Sequence, residues 1–582
     1  MDLAAPLLAG RPPRGVMRLV LLSLLLMSVA GCLSDPTPSR EGAEAAPLDP
    51  GVEHETFSRT GLWSPPFEGE VPAVNMVVLH DGRILYWSGV EAGSPDDPLN
   101  QTFLTAGALA GESRILELTS EGYTITTPEH AFGDGGDLFC SGAILLADGR
   151  VLTTGGSEYH GLQEPMQWPL DGIPDARIFD PATDTWTRYA DMVLGRWYPS
   201  LLLLPDGAPA TIGGIETLSN VNDHWLNWES YDAEADRWDI MGWTEGHRLP
   251  LYPRLHVVPG GPMRGEAFYS TAGTLWGPFG EHPMQYEWSY MQSFDLHDHD
   301  HTQHGLSTFG SRNYASSVML AAGPEDDYRT QVVSSGGTLQ QFLVATPLTE
   351  VIDLSGTGPI AARTADMTFP RWNHNSVLLP DGGVLTIGGG LYDNVLIHGQ
   401  PNVPILEAER FDPATQTWTV MDAMEVPRMY HSTAALLPDG RVLAGGHVPL
   451  PVPWQEARET VSPQVVETRL EIYEPGYLFR GPRPVIDAAP EAISYGDTFD
   501  IEVRSPAAID SVLLMRPAAT THAFDMGQRG TWLEVVDQDG TTMTLRAPPN
   551  SDVTPAGHHM LFVNSHHPEG PVPSEAAWVH LS

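Results

Sequence analysis

Phe139-Cys140-Ser141-Gly142-Ala143-Ile144-Leu145-Leu146-Ala147-Asp148-Gly149-Arg150-Val151-Leu152-Thr153-Thr154-Gly155-Gly156 decides the fold. It reads as a short apolar strand, a tight Asp-Gly turn and a second strand ending in small residues, which is the signature of a hairpin. The same unit recurs at Val77 to Gly89 around Asp81-Gly82, at Leu201 to Gly214, at Val377 to Gly389 and at Thr433 to Gly446. Two degenerate copies fill the gap, Leu255 to Gly273 around Pro259-Gly260-Gly261 and Ser317 to Gly337 around Gly323-Pro324. Seven copies, tens of residues apart, predict a seven-bladed Kelch-type β-propeller, since each hairpin buries its apolar face only against its neighbours.

Between these units lies a second hairpin, seen in Ala176 to Trp186, Glu229 to Trp238 and Glu409 to Trp418, where large apolar and polar residues alternate across an Asp-rich turn. These are the expected outer strands of a blade. The last copy, Thr468 to Pro475, lacks its closing strand, and Thr60-Gly61-Leu62-Trp63 near the other end of the chain is expected to supply it and remove the open edge. Beyond about Phe479 the repeat stops. Short strands at Thr498 to Val503, Ser511 to Met515, Thr531 to Val536, Thr541 to Arg546 and His559 to Val563 predict a C-terminal immunoglobulin-like β-sandwich. The expected organisation is all-β, with the propeller over 57–478 and the sandwich over 479–582, and with no helix of ordinary length in the mature chain.

The N-terminal 1–32 carries Arg11, Arg14 and Arg18, an apolar run from Leu19 to Ala30, and then Val29-Ala30-Gly31-Cys32. That run is too short to span a bilayer and suits a signal-peptide core. Val-Ala-Gly-Cys resembles a lipobox, which makes Cys32 the expected lipidation site and the mature N-terminus. Residues 33–56, rich in Pro, Ala, Glu and Ser, read as a flexible tether. The expected address is outside the cytoplasm, as a cell-surface or periplasmic lipoprotein or a secreted protein, and the expected state is a monomer that meets the membrane only through its anchor.

The chain contains no lysine. Its 30 basic residues are all arginine and face 74 acidic ones, for a formal net charge of −44. So negative a surface repels phosphate backbones and excludes nucleic acid as a partner. With Cys32 assigned, Cys140 has no second cysteine to pair with, and a lone thiol in an oxidising compartment calls for a chemical role.

Cys140 stands eight residues before Asp148, and the same offset places Tyr198 before Asp206, Tyr252 before Gly260, Asn373 before Asp381 and His431 before Asp439. In a closed ring of blades such positions converge on the axis. At this point the chain resembles the galactose oxidase and glyoxal oxidase group of copper-radical oxidases. The matching motifs are Phe139-Cys140-Ser141-Gly142, Arg196-Trp197-Tyr198-Pro199-Ser200, Arg428-Met429-Tyr430-His431-Ser432 and Thr521-His522-Ala523-Phe524-Asp525-Met526-Gly527-Gln528-Arg529, in the family's order.

The resemblance implies a thioether between Cys140 and the ring of Tyr198, giving a protein-derived Cys-Tyr radical cofactor. Tyr198, Tyr430, His431 and His522 would ligate one copper ion, and Tyr430 would take the substrate's proton. Imidazole and phenolate suit Cu(II). Oxidation of the substrate removes two electrons where copper accepts one, so the second oxidant must reside in the protein. His522, from the sandwich, must then enter the propeller channel on a long hairpin.

One departure concerns the tryptophan that in galactose oxidase stacks over the thioether, since Glu216 stands at that count here, with Trp225 or Trp228 as candidates to reach over from the next loop. The Leu251-Tyr252-Pro253 stretch and the Asn220 to Tyr231 segment look closer to glyoxal oxidases. The expected reaction is therefore oxidation of a small aldehyde to an acid, with O2 reduced to H2O2; oxidation of a primary alcohol or sugar is the alternative within the enzyme class. The rival is a non-catalytic surface propeller that binds carbohydrate or protein. The His297-Asp298-His299-Asp300-His301 run with His304 reads as a solvated insertion.

Overall fold

The structure, a computed structural model, describes residues 56–88, 113–128, 138–159, 170–216, 227–243, 249–273, 287–296, 298, 300–339, 344–392, 403–447 and 467–582. The lipobox Cys32, the signal segment and all of the tether but Thr56 lie outside them, as does Trp225. The described residues belong to one compact unit, His54–Ser582.

Seven antiparallel sheets follow one another along the chain, five of them four-stranded, with the first enlarged to six strands and the last to five. Their innermost strands are Asn75–Val78, Gly142–Leu145, Ser200–Leu203, Leu255–Val257, Ser316–Met319, Asn375–Leu378 and Ser432–Leu436, and we number the blades 1 to 7 in that order. Both degenerate repeats form full blades. Their Gly-Pro turns are single 3-10 turns, Gly261–Met263 and Pro324–Asp326, in place of Asp-Gly hairpins.

Hydrogen bonds tie successive blades together near the axis. Ser200 Oγ donates to the Pro253 carbonyl at 2.8 Å, His256 Nε2 and Ser317 Oγ are 2.8 Å apart, and Asn375 Nδ2 donates to Ser432 Oγ at 2.9 Å. The ring closes where Thr433 Oγ1 of blade 7 donates to the Ala73 carbonyl beside blade 1 at 2.7 Å. The outermost strand of blade 7 is Leu62–Trp63, paired antiparallel with Tyr473 and Glu474 as the repeat pattern required. First and last segments thus share one sheet, and no blade is left with an open edge there.

Two sheets of the C-terminal sandwich enclose an apolar core that includes Ile501, Val503, Met543 and Leu545 from one face and Val512, Leu514, Leu561 and Val563 from the other. The expected strand over Thr531 to Val536 is in fact two. Gly530–Trp532 pairs with Ile509–Met515 in one sheet, whereas Glu534–Asp539 pairs with Thr542–Arg546 in the other. Leu533 between them is buried in the core, so the chain changes sheets around it. Among the described residues His301 and His304 also depart from the expected loop. They lie on the outer strand His301–Leu306 of blade 4 and bond to Gln292 and Ser293 of the neighbouring strand.

Candidate metal centre

Blades 2 to 7 each begin with a residue that turns the chain into the innermost strand, and these residues carry the site. Cys140, Tyr198, Tyr252, Tyr314, Asn373 and His431 have φ of 62°, 63°, 44°, 52°, 52° and 65°. Left-handed backbone at a non-glycine residue costs about 1–3 kcal/mol and persists only where the surroundings enforce it. Enforcement is visible in the main chain. Tyr198 N donates to the Cys140 carbonyl at 3.2 Å, Tyr252 N to the Tyr198 carbonyl at 2.9 Å and Asn373 N to the Tyr314 carbonyl at 3.3 Å, stitching neighbouring blades at one level. The turn aims each side chain toward the axis, and all six are buried.

His522 arrives as expected from the sandwich, on the hairpin Ala519–Thr521 and Phe524–Asp525. The first of these strands pairs with Asn75–Val78 of blade 1, so the hairpin is an extra strand inside the propeller's hub. Its two-residue tip, His522 and Ala523, has φ of 46° and 62°, the pattern of a type I′ turn without the usual glycine. Thr521 Oγ1 lies 2.7 Å from His522 Nδ1 and engages that nitrogen, leaving Nε2 toward the hub, 3.6 Å from Cys140 Sγ.

All five residues singled out from sequence meet. The ligand atoms of Cys140, His431 and His522 lie within 4.8 Å of one another. The Tyr198 and Tyr430 hydroxyls hydrogen-bond to each other. The two imidazole rings stand at 87° with centroids 4.6 Å apart, and the Tyr198 ring meets His522 edge-on at 4.7 Å. Cys140 and Tyr198 share one packed cluster with Trp197, Tyr252 and Phe524.

Burial pushes the Tyr198 phenol well above its usual range, with Cys140 and Tyr314 adding to the rise; for Tyr430 the order after burial is Tyr314, then Cys140. Burial likewise holds His522 well below the usual imidazole value, reinforced by His431 and Arg254. Burial thus disfavours charge on Tyr198, Tyr430 and His522 themselves. Two imidazoles and two phenols that become anionic on losing their protons are a donor set that fits Cu(II).

Residues 305–477 match the family model described as Glyoxal oxidase N-terminus, and residues 483–581 match Galactose oxidase-like, Early set domain. The chain is 29% identical over 477 residues to an aldehyde oxidase GLOX of Vitis pseudoreticulata, covering 76% of this chain and 82% of that one. It is 23% identical over 562 residues to a galactose oxidase of Gibberella zeae, covering 90% and 71%. A solved fungal alcohol oxidase in complex with copper superimposes with a TM-score of 0.69 at 23% identity, covering 90% of this chain and 100% of that one. The two matched segments and these relatives together indicate a copper-radical oxidase of the glyoxal oxidase and galactose oxidase kind.

In this copper-radical oxidase, among the described residues, the ring stacked on Tyr198 is not Trp228, one of the two tryptophans expected from sequence; the other, Trp225, lies outside the described residues. Trp228 packs with Leu255, Tyr269 and Phe294 in the seam between blades 3 and 4, and Glu216 is exposed. Trp197, the residue just before Tyr198, stacks on it with centroids 3.9 Å apart at 18°, while Tyr252 covers the other face at 4.4 Å and 27°. The Arg-Trp-Tyr motif held this signal, because a left-handed Tyr198 folds its own predecessor back over the ring. Tyr314 escaped the offset count because the Gly323-Pro324 turn of its blade begins nine residues on rather than eight, yet it faces Tyr430 edge-on at 5.8 Å.

A further repeated device went unread. Arg196, Arg312, Arg371 and Arg428 are each buried against a glutamate on the third strand of their own blade, Glu229, Glu350, Glu409 and Glu471, at 2.8, 2.9, 2.9 and 3.4 Å. Each also donates to a glycine carbonyl at the end of the second strand, at Gly213, Gly336, Gly388 or Gly446. These clasps fix the turn residues two or three positions later, including Tyr198, Tyr430 and His431. The recurring arginine ahead of the site residue and glutamate opening the outer hairpin were visible in the sequence.

Proposed function

We propose that this protein oxidises a small aldehyde of the glyoxal or methylglyoxal type, taken as its hydrate, to the carboxylic acid, while dioxygen is reduced to hydrogen peroxide. The hydrate loses two electrons and two protons, and O2 gains both pairs, so the reaction balances without another reactant. The observation that carries the reading is the convergence of Cys140, Tyr198, Tyr430, His431 and His522 in one buried hub. The matched glyoxal oxidase segment and the aldehyde oxidase relative support the aldehyde side. The galactose oxidase relative favours a primary alcohol as the second reading.

Tyr198, Tyr430, His431 and His522 would hold copper, which supplies a one-electron oxidant and a Lewis-acidic seat for the substrate oxygen. The chain's own groups do the rest. Tyr430 Oη takes the hydroxyl proton of the hydrate as general base. Tyr198, joined through its ring to Cys140 Sγ, stores the second oxidising equivalent and takes a hydrogen atom from the substrate carbon. Trp197 and Tyr252 on either face of the Tyr198 ring shield it from water. Export, with anchoring through a lipidated Cys32, completes the proposal.

The test is peroxide release from copper-loaded protein in a coupled peroxidase assay with methylglyoxal, glyoxal, galactose and glycerol. Turnover is expected on the two aldehydes above the two alcohols. Silence on all four leaves the non-catalytic binding propeller.

A further inference from the structure

Arg254 follows Tyr252 by two residues and leads directly into the inner strand Leu255–Val257 of blade 4. Its side chain is fully buried. Nη2 donates to the carbonyl of His522 at 2.8 Å, and the guanidinium carbon lies 4.8 Å from the centroid of the Phe524 ring. The arginine therefore grips the incoming hairpin on both sides of its left-handed tip. Its other two nitrogens, Nε and Nη1, have no hydrogen-bond partner among the described residues.

Among the described residues Arg254 has no acid partner; Arg516 and Arg529 are also buried without an ion pair, but Asp525 and Asp552 act on them, whereas no carboxylate is among the groups that act on Arg254. Arg196, Arg312 and Arg371, equally buried, are each closed by a glutamate. The ionisable groups around Arg254 are tyrosines, namely Tyr314, Tyr252 and Tyr269, and burial holds Tyr252 and Tyr269 well above the usual phenol range, so they bring no compensating charge. A guanidinium does not give up its proton in a protein, and a buried charge without a partner costs stability, which makes it an improbable accident of packing. In the water-excluded hub its field acts at short range with little screening. It reaches Tyr252 and His522, which lie against the Tyr198 ring at 4.4 and 4.7 Å.

We propose that Arg254 is a positioning residue of the radical centre: it clasps the hairpin that delivers His522, and its unpaired charge raises the one-electron reduction potential of Tyr198. The physical reason is electrostatic. Taking an electron from the Tyr198 ring makes it one charge more positive beside a fixed cation, so the oxidised form is disfavoured. A higher potential makes the radical a stronger oxidant toward substrate carbon–hydrogen bonds. The inference rests on the radical chemistry proposed above.

The experiment is a redox titration of the copper-loaded full chain with a one-electron inorganic oxidant, following the radical optically in wild type, Arg254→Met and Arg254→Lys. Arg254→Met is expected to shift the ratio of oxidised to reduced Tyr198 at fixed potential at least tenfold toward the oxidised form, a fall of about 59 mV for one electron. Arg254→Lys, which keeps the charge and loses the fork, is expected to restore most of that shift. Copper electron resonance checks that two nitrogen ligands remain. Equal potentials in wild type and a copper-loaded Arg254→Met overturn the inference. If Arg254→Met does not hold copper, Arg254→Lys decides: rescue supports the role of charge, and a lysine variant as deficient as methionine overturns it. A wild-type protein that forms no radical fails the proposed reaction itself, an outcome distinct from unshifted variants.

Discussion

At the scale of single residues, the chemistry depends on contacts around one ring. Cys140 and Tyr198 are successive turn residues linked by a main-chain hydrogen bond, and both are buried in the same cluster. Cys140→Ser replaces one small buried group by another, so the fold and copper binding are expected to survive while turnover drops by orders of magnitude. Peptide mass spectrometry checks the cause. Wild-type protein exposed to copper and dioxygen, which takes up the two electrons and two protons released, should yield Cys140 joined to Tyr198 with loss of two hydrogens, and the variant should yield free Tyr198. Trp197 acts on the same ring without bonding to it. Stacked aromatic pairs contribute about 0.5–1.5 kcal/mol beyond burial. Trp197→Leu is expected to lose about that much stability and, by baring one face of Tyr198, to shorten the radical's lifetime with the cross-link still formed. An unchanged decay of the radical's optical band would remove the shielding role.

At the scale of the blade, the clasp between a buried arginine and the glutamate of the third strand explains how turn residues hold left-handed backbone. In blade 6 the pair Arg371 and Glu409 has no metal ligand beside it, so stability can be read apart from copper. Arg371→Met strands a buried carboxylate and is expected to cost about 3–5 kcal/mol in chemical denaturation, whereas the double variant with Glu409→Leu should recover much of it. A single variant as stable as wild type would show that the pair is idle. Elements also mark how far the sequence could be read. The blades with Asp-Gly turns, the closing strand at Leu62–Trp63 and the convergence of distant side chains were legible, because period-two apolar strands and turn residues are local signals. The clasps were not, since they join positions some 33 to 43 residues apart that no local rule links. The stacking of Trp197 was held in the Arg-Trp-Tyr motif but becomes readable only once the left-handed angle at Tyr198 is known. The strand around Leu533 was misread because alternation cannot say which of two sheets a strand joins.

At the scale of the whole molecule, the propeller and the sandwich meet at a histidine stack. His80, in the turn of blade 1, lies over His558 with centroids 4.4 Å apart, and His558 meets His580 of the neighbouring sandwich strand at 4.8 Å. Burial lowers His558 from 6.5 to about 4, helped by His80 and His580 and opposed by Asp148. The sign of the linkage follows. In the folded protein His558 stays neutral down to about pH 4, whereas in the unfolded chain it takes a proton near 6.5, so its contribution is complete above 6.5 and is lost as pH falls toward 4. His559, fully buried and lowered to about 3, carries the same dependence further into acid. Protonation of His558 places a cation against two other imidazoles at the junction that also delivers His522 to the hub. His558→Gln, which cannot titrate, is expected to match wild-type melting at pH 7.5 and to exceed it at pH 4.5 in calorimetric scans. Because the many carboxylates of this acidic chain titrate alike in both proteins, the difference between the two curves isolates the histidine. Parallel curves over that range would mean that the junction does not sense acid through this residue.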